Sequence, residues 1–433
     1  LNGNPLNDHE ELNMISKGKW IMPVILLSVI FLQIDVYPSA FKGEKVALAA
    51  IDIQSYYIEG AKDSDLKQTL IRIGRILKTA SDYEVPFFIT YEYLEQRPLE
   101  EHMKILPEHR ALLPEHNIYS YVKTAFDASR QPEFFKDLKH LGIKKVILCG
   151  AETDVCVLQT ALGLRARKFE VYVVNDAVYT SEYDEYPAFK RLCQAGIRLI
   201  STSHLLSSIK NNQPLSPDIE PLLPEVKSRS RSIIHPLHTA VLLSDYQQKQ
   251  IDECVNPSKK SILARYDIFC YTVDAFRVPL FTMTSIPNPS DFPEGFFRPR
   301  NLKFYRKTIF NTPEGRSNFQ QELQKRDIRQ IFLAGVFTGR DLINTVRELK
   351  KYTADIYIIQ DMILSPDANI KEVWNTLYSE GIIPMTFKMY NYGLIKSVNY
   401  REAHSIPYML DMWEYYKTKK ITTWVEELPR VIY

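Results

Sequence analysis

The chain has 433 residues, with 54 Lys and Arg against 52 Asp and Glu, a formal charge of +2. At roughly 100–200 residues per domain this length predicts two domains, and the 45% hydrophobic and 24% charged content excludes disordered, collagen-like and polytopic membrane classes. A near-neutral charge argues against a broad nucleic-acid surface, and five cysteines without regular spacing give neither a disulfide framework nor a zinc signature.

Residues 1–40 read as an N-terminal extension. The apolar run Ile21 to Leu32, flanked by Lys17 and Lys19, is shorter than the ~20 residues of a spanning helix and matches a secretory h-region. A signal peptide and the secretory pathway are therefore expected, without stable membrane insertion. The alternative is a buried element of a cytoplasmic protein, and Pro38 sits where a cleavage site wants a small residue.

From Lys45 strands and helices alternate. Strands are predicted at Val46 to Ile51, Val85 to Thr90, Val146 to Leu148, Val171 to Val174 and Arg198 to Ile200, with a helix over Leu66 to Ala80 and others between the later strands. Such alternation implies βαβ units and a parallel sheet covered on both faces, over a first domain of 41–210. Chemistry in these sheets gathers at the carboxyl ends of strands, where Asp52 and Cys156 fall. Gly150 turns one strand into a helix that Cys156 is expected to start, where the helix dipole would favour its thiolate. The other reading of Cys156 is a small buried hydrophobe.

Residues 211–232 carry Pro214, Pro217, Pro221 and Pro224, then Lys227-Ser228-Arg229-Ser230-Arg231-Ser232, the composition of a solvated linker. Residues 233–433 then repeat the first domain. The strand ending in Asp245 answers the one ending in Asp52, and Pro279 answers Pro86, both at an offset of 193. Lys307-Thr308-Ile309-Phe310 answers Lys123-Thr124-Ala125-Phe126 at 184, and Leu333 to Thr338 answers Leu148 to Thr153 at 185. A near-constant offset signals tandem duplication. The expected fold is α/β: two tandem Rossmann-like three-layer α/β/α domains, each with a parallel sheet of about six strands. Cys156 is answered by Asp341, which cannot form a thioester, so Asp245, Lys307 and Asp341 read as a degenerate second site.

Asp52, Lys123 and Cys156 suit acyl transfer by a thiol: the carboxylate takes the proton, and the ammonium orients it and favours the thiolate. The stretches Ile51-Asp52-Ile53-Gln54, Val122-Lys123-Thr124-Ala125-Phe126 and Gly150-Ala151-Glu152-Thr153-Asp154-Val155-Cys156-Val157 resemble the isochorismatase-like cysteine hydrolase superfamily, over about Val46 to Leu206 and more weakly His238 to Asn391. The resemblance implies a catalytic triad of Asp52, Lys123 and Cys156, and a cis peptide between Ala151 and Glu152. It also implies an oxyanion hole from the N–H groups of Glu152 and Cys156, and cleavage of an amide-type C–N bond of a small molecule. Family members assemble as dimers or larger rings, so a homo-oligomer is possible by that resemblance.

Nicotinamidases of that superfamily carry an Asp-x-His metal pair where this chain has Tyr91-Glu92-Tyr93-Leu94, which weakens a nicotinamide reading. Gln54, Tyr57 and Glu92, with the insert before Lys123, are expected to line the substrate pocket. His102, His109 and His116 in that insert read as solvated loop residues rather than a metal cluster. No carboxylate–His spacing typical of a metal site accompanies them, so no metal is expected, and no Gly-rich phosphate loop follows a predicted strand, so no organic cofactor is expected. Two other readings stand beside hydrolysis: a non-catalytic binding or assembly protein, and a redox thiol with Cys149 and Cys193 as resolving partners.

Overall fold

A computed structural model describes residues 40–59, 66–93, 98–182, 184–226, 234–255, 259–284, 299–300, 302–353 and 355–396. They belong to one compact unit, Tyr37–Tyr433. The expected signal peptide, the basic run Lys227 to Ser232 and the chain beyond Lys396 lie outside the described residues.

The first copy builds a sheet from β1 (Val46–Ile51), β2 (Phe87–Glu92), β3 (Ile118–Lys123), β4 (Lys145–Ala151), β5 (Glu170–Tyr179) and β6 (Arg198–Ile200). The second builds another from β7 (Thr239–Ser244), β8 (Leu280–Thr284), β9 (Leu302–Arg306), β10 (Gln330–Val336), β11 (Asp355–Leu364) and β12 (Ile383–Met385). The first runs in the order β3-β2-β1-β4-β5-β6 and the second in the matching order, read from the other edge, β12-β11-β10-β7-β8-β9, with all neighbours parallel. The order reverses between β1 and β4, and a crevice at such a switch point is where these sheets bind ligands. β3, which the sequence reading passed over, is an edge strand with a half-buried, mixed-polarity pattern.

The pertinent helices are α1 (Leu66–Asp82), α2 (Pro132–His140), α3 (Leu158–Ala166), α4 (Tyr186–Gln194) and α5 (Thr202–Lys210) in the first copy. The second has α6 (Lys259–Ala275), α7 (Pro313–Lys325), α8 (Gly339–Leu349), α9 (Val373–Ser379) and α10 (Phe387–Ile395). Alternate β1 side chains split between two faces: Val46, Leu48 and Ala50 pack with Ile73, Ile76 and Leu77 of α1 and Leu205 and Ile209 of α5. Ala47, Ala49 and Ile51 share a core with α2, α3 and α4.

That second core does not stop at the first copy. It continues into Tyr266, Phe269 and Val273 of α6 and Tyr390 and Leu394 of α10. The α2–α4 face of one copy is thus stacked on the α6/α10 face of the other, a head-to-tail arrangement of unlike faces. α3, caught in that sandwich, has no exposed side over most of its length: every residue from Leu158 to Leu164 is buried. α1, outside it, keeps Lys67, Ile71 and Lys78 toward solvent. The Pro-rich stretch is tied to the first copy as far as Val226, through Leu215 N–H to Glu44 Oε2 (3.0 Å) and Val226 N–H to the Gln194 carbonyl (3.0 Å).

Candidate active site

β1 ends by turning at Asp52, whose φ of 46° is a left-handed conformation costly for a residue with a Cβ. The turn aims the carboxylate along the crevice, where Oδ1 accepts from the Thr90 hydroxyl (2.9 Å) and Oδ2 pairs with Lys123 Nζ (2.6 Å). Lys123 closes β3, and its Nζ also lies 3.5 Å from Cys156 Sγ. β4 delivers the sulfur: Gly150 has φ +109°, and a Cβ there would lie 2.1 Å from the Ile51 carbonyl oxygen, so only glycine lets the strand ends approach. The Ala151–Glu152 peptide is cis.

Cys156 does not begin an ordinary helix. It lies in a wide turn of π type, Thr153–Val157, one element before α3. Nor is its thiolate favoured at rest. Burial pushes the thiol well above its usual range; Lys123 opposes this, while Asp52 and Glu92 add to it. For Lys123 burial works downward, but the negative charge beside it, that of Asp52 foremost, outweighs this and holds the ammonium. The resting site is therefore a neutral thiol beside a buried ion pair.

Glu92, at the end of β2, accepts from the Tyr57 hydroxyl and has Oε2 3.8 Å from Cys156 Sγ. Burial raises its carboxyl to about 7, opposed by Lys123 and reinforced by Asp52. Gln54, expected in the pocket lining, makes structural hydrogen bonds. Its amide is 1% exposed, donates to the Glu92 (3.0 Å) and His102 (2.8 Å) carbonyls and accepts from the Glu92 N–H (2.7 Å), clamping β2 to the insert.

The histidines also differ from expectation. His102 and His109 are buried, the first edge-on to Tyr93 and the second bonded through Nε2 to the Leu70 carbonyl (2.9 Å), because the insert packs against α1 instead of standing in solvent. His116 is exposed. Among the described residues, one group has donor atoms close enough to hold a metal: Asp52, Glu92 and Cys156, all within 4.8 Å of one another. The Lys123 ammonium already supplies positive charge between two of them, so the fit to a cation is poor. Cys149 and Cys193 are buried and free, with Cys149 raised to about 12 by burial, which suits packing better than thiol exchange.

In the second copy Asp245 repeats the left-handed turn (φ 43°) and pairs with Lys307, which also reaches Asp341 Oδ2 at 3.4 Å. Asp341 caps no thiol chemistry: its N–H bonds the Thr338 hydroxyl (3.1 Å) at the start of α8, lining a cleft of about 480 Å³. Two contributors to the first site escaped the sequence reading. Thr90 was visible as a hydroxyl ending an apolar strand, and Lys388, from the other copy, reaches Glu152 at 3.0 Å.

The Isochorismatase domain profile matches residues 46–204. The mouse isochorismatase domain-containing protein 2A is 31% identical over 184 residues, 42% of this chain and 80% of that protein. Xenopus laevis isochorismatase domain-containing protein 2 is 28% identical over 173 residues, 40% and 76% of the two chains. Among solved structures, the MAR1 ribonuclease of Caenorhabditis elegans is similar at 25% identity and a TM-score of 0.35, covering 45% of this chain and 99% of that one. On the strength of the matched domain and the mouse relative, this chain belongs to the isochorismatase-domain family.

Proposed function

We propose that the first copy is a thiol-dependent hydrolase cleaving an amide-type C–N bond of a small molecule, and that the second copy is catalytically inactive and structural. The observation that carries this reading is the chain of contacts Asp52–Lys123 (2.6 Å) and Lys123–Cys156 (3.5 Å) at the β1/β4 switch point.

Because the resting thiol is neutral, its proton passes to Asp52 as sulfur attacks the carbonyl carbon. The carbonyl π pair moves to oxygen, where the N–H groups of Glu152 and Cys156 receive it, an effect commonly worth about 3–4 kcal/mol per donor. Collapse breaks the C–N bond, and protonated Asp52 gives its proton to the departing amine, leaving a thioester. Water, deprotonated by Asp52, adds to that thioester; collapse releases the acid, and the proton returns to sulfur. Lys123 holds the Asp52 carboxylate in place and offsets negative charge at the sulfur. Glu92 and Tyr57 present a linked hydroxyl and carboxyl to the substrate.

A screen of amides, ureas and carbamates for amine or ammonia release, run beside Cys156→Ser, tests this. Release by the parent chain and none by the variant is expected, and a turnover-competent Cys156→Ala protein overturns the reading.

A further inference from the structure

We propose that Lys388, carried by α10 of the second copy, anchors the oxyanion turn of the first copy and is a positioning residue for acyl transfer at Cys156. This rests on the hydrolase reading above.

Glu152 and Asp154 bracket the start of the turn that bears Cys156, and both carry carboxyl groups into a closely packed region. Lys388 Nζ reaches Glu152 Oε1 and Oε2 at 3.0 Å each, lies 3.8 Å from Asp154 Oδ2 and donates to the Ser181 hydroxyl at 2.7 Å. It is 5% exposed, so the ion contacts are poorly screened by solvent. Glu152 Oε1 also accepts from the Ser181 N–H (3.1 Å), and Asp154 Oδ1 from the Thr180 hydroxyl (2.6 Å). One ammonium thus ties the end of β5 to both acids of the turn. Without it, two carboxylates would face each other beside the position where an oxyanion must form.

The duplication shows that this arrangement is particular to the pair. At the offset of 185, Glu152 and Asp154 are answered by Phe337 and Gly339, and Lys388 answers Ser203. The copy with the thiol has the acids, and the copy without it has the lysine. α10 is held for this task by Gln159 Nε2 to the Tyr392 carbonyl (3.0 Å), Phe126 N–H to the Lys396 carbonyl (3.0 Å) and the Phe126–Tyr392 edge-to-face contact (5.2 Å). The second copy therefore contributes to the first site through the Lys388 side chain.

Two probes on the full chain separate positioning from general support. Iodoacetamide alkylates the sulfur by displacement at a saturated carbon and forms no oxyanion. p-Nitrophenyl acetate transfers its acetyl group to sulfur through a tetrahedral oxyanion, the C–O bond breaking to release p-nitrophenolate while the thiol proton goes to Asp52. Lys388→Met is expected to slow acetylation of Cys156, followed as a nitrophenolate burst and by peptide mass, about tenfold or more. Alkylation of Cys156 should change less than about threefold, and Lys388→Arg should restore most of the acetylation rate. Lys388→Gln removes the charge but keeps a donor, and supplies the comparison if Lys388→Met does not fold. Equal acetylation in variant and parent overturns the inference, as does a parallel change in both reactions. Those results leave the hydrolase reading standing. A parent chain whose Cys156 takes no acetyl group overturns both.

Discussion

A carboxyl group buried beside a thiol makes the site proton-dependent, and Glu92 is that group. Raised by burial to about 7, it is neutral below that pH and negative above it, 3.8 Å from the sulfur that must gain negative charge in the reaction. kcat/KM is therefore expected to fall as pH rises through about 7, and Glu92→Gln should flatten that limb; a variant with an unchanged profile assigns the titration to another group. The same shift bears on stability. The folded value lies above the unfolded one, so the contribution is full below about 4.5 and is lost as pH rises through about 7. Relative to the parent, Glu92→Gln should gain on the order of 3 kcal/mol between pH 4 and pH 8 in urea unfolding. Asp341→Ala, in contrast, should leave turnover intact, since in that copy an aspartate stands where Cys156 stands in the first; a loss of activity would show that the second cleft takes part. Asp52 was legible in the sequence because it stands where an apolar run stops, and Lys123 and Cys156 through the short motifs around them. The protonation of Cys156 was not legible, because it depends on burial and on charges from three other segments.

Among the elements, β4 is the most constrained. Gly150 combines a φ of +109° with a would-be Cβ 2.1 Å from the Ile51 carbonyl, and Gly335 in β10 repeats this with φ +113° and 2.3 Å to the Ser244 carbonyl. Gly142, at φ +66°, has nothing within 4 Å of its would-be Cβ. Gly142→Ala should therefore cost only about 1 kcal/mol, the conformational penalty alone. Gly150→Ala and Gly335→Ala should each cost about 3 kcal/mol or more in urea unfolding, since backbone must move as well. Equal losses at all three positions would mean that the close strand approach contributes nothing. The duplicated strands and their glycines were readable from the offsets of 184 to 193. β3 was not, because an edge strand with Ser120 and three half-buried neighbours lacks an apolar run. The wide turn at Cys156 was also hidden, since Thr153 to Val157 reads equally well as a first helical turn.

At the scale of the molecule, one core crosses from the α2–α4 face of the first copy to the α6/α10 face of the second, and this makes the copies interdependent. The signal was present in the sequence as α3, a helix with little polar side, but periodicity alone cannot say whether such a helix lies inside one domain or between two. Buried interface polar groups reinforce the link: Gln194 Nε2 donates to the Ile382 carbonyl (2.8 Å), and the Arg191 guanidinium, 1% exposed, stands 5.6 Å over the Tyr357 ring. The five buried cysteines, none of them in a disulfide, report on both copies at once, with Cys149, Cys156 and Cys193 in the first and Cys254 and Cys270 in the second. Thiol labelling across a urea series, read cysteine by cysteine by mass spectrometry, should therefore give one shared midpoint. Phe269→Ala deletes a ring that is fully buried in α6, edge-on to Tyr266 and tilted against Tyr390. A loss of about 3–5 kcal/mol is expected for such a deletion, and it should move the midpoint of the first copy's cysteines together with that of the second. If Cys149, Cys156 and Cys193 keep the parent midpoint while Cys254 and Cys270 label earlier, the copies unfold as independent bodies. The second copy would then be a passenger on the first and not part of its core.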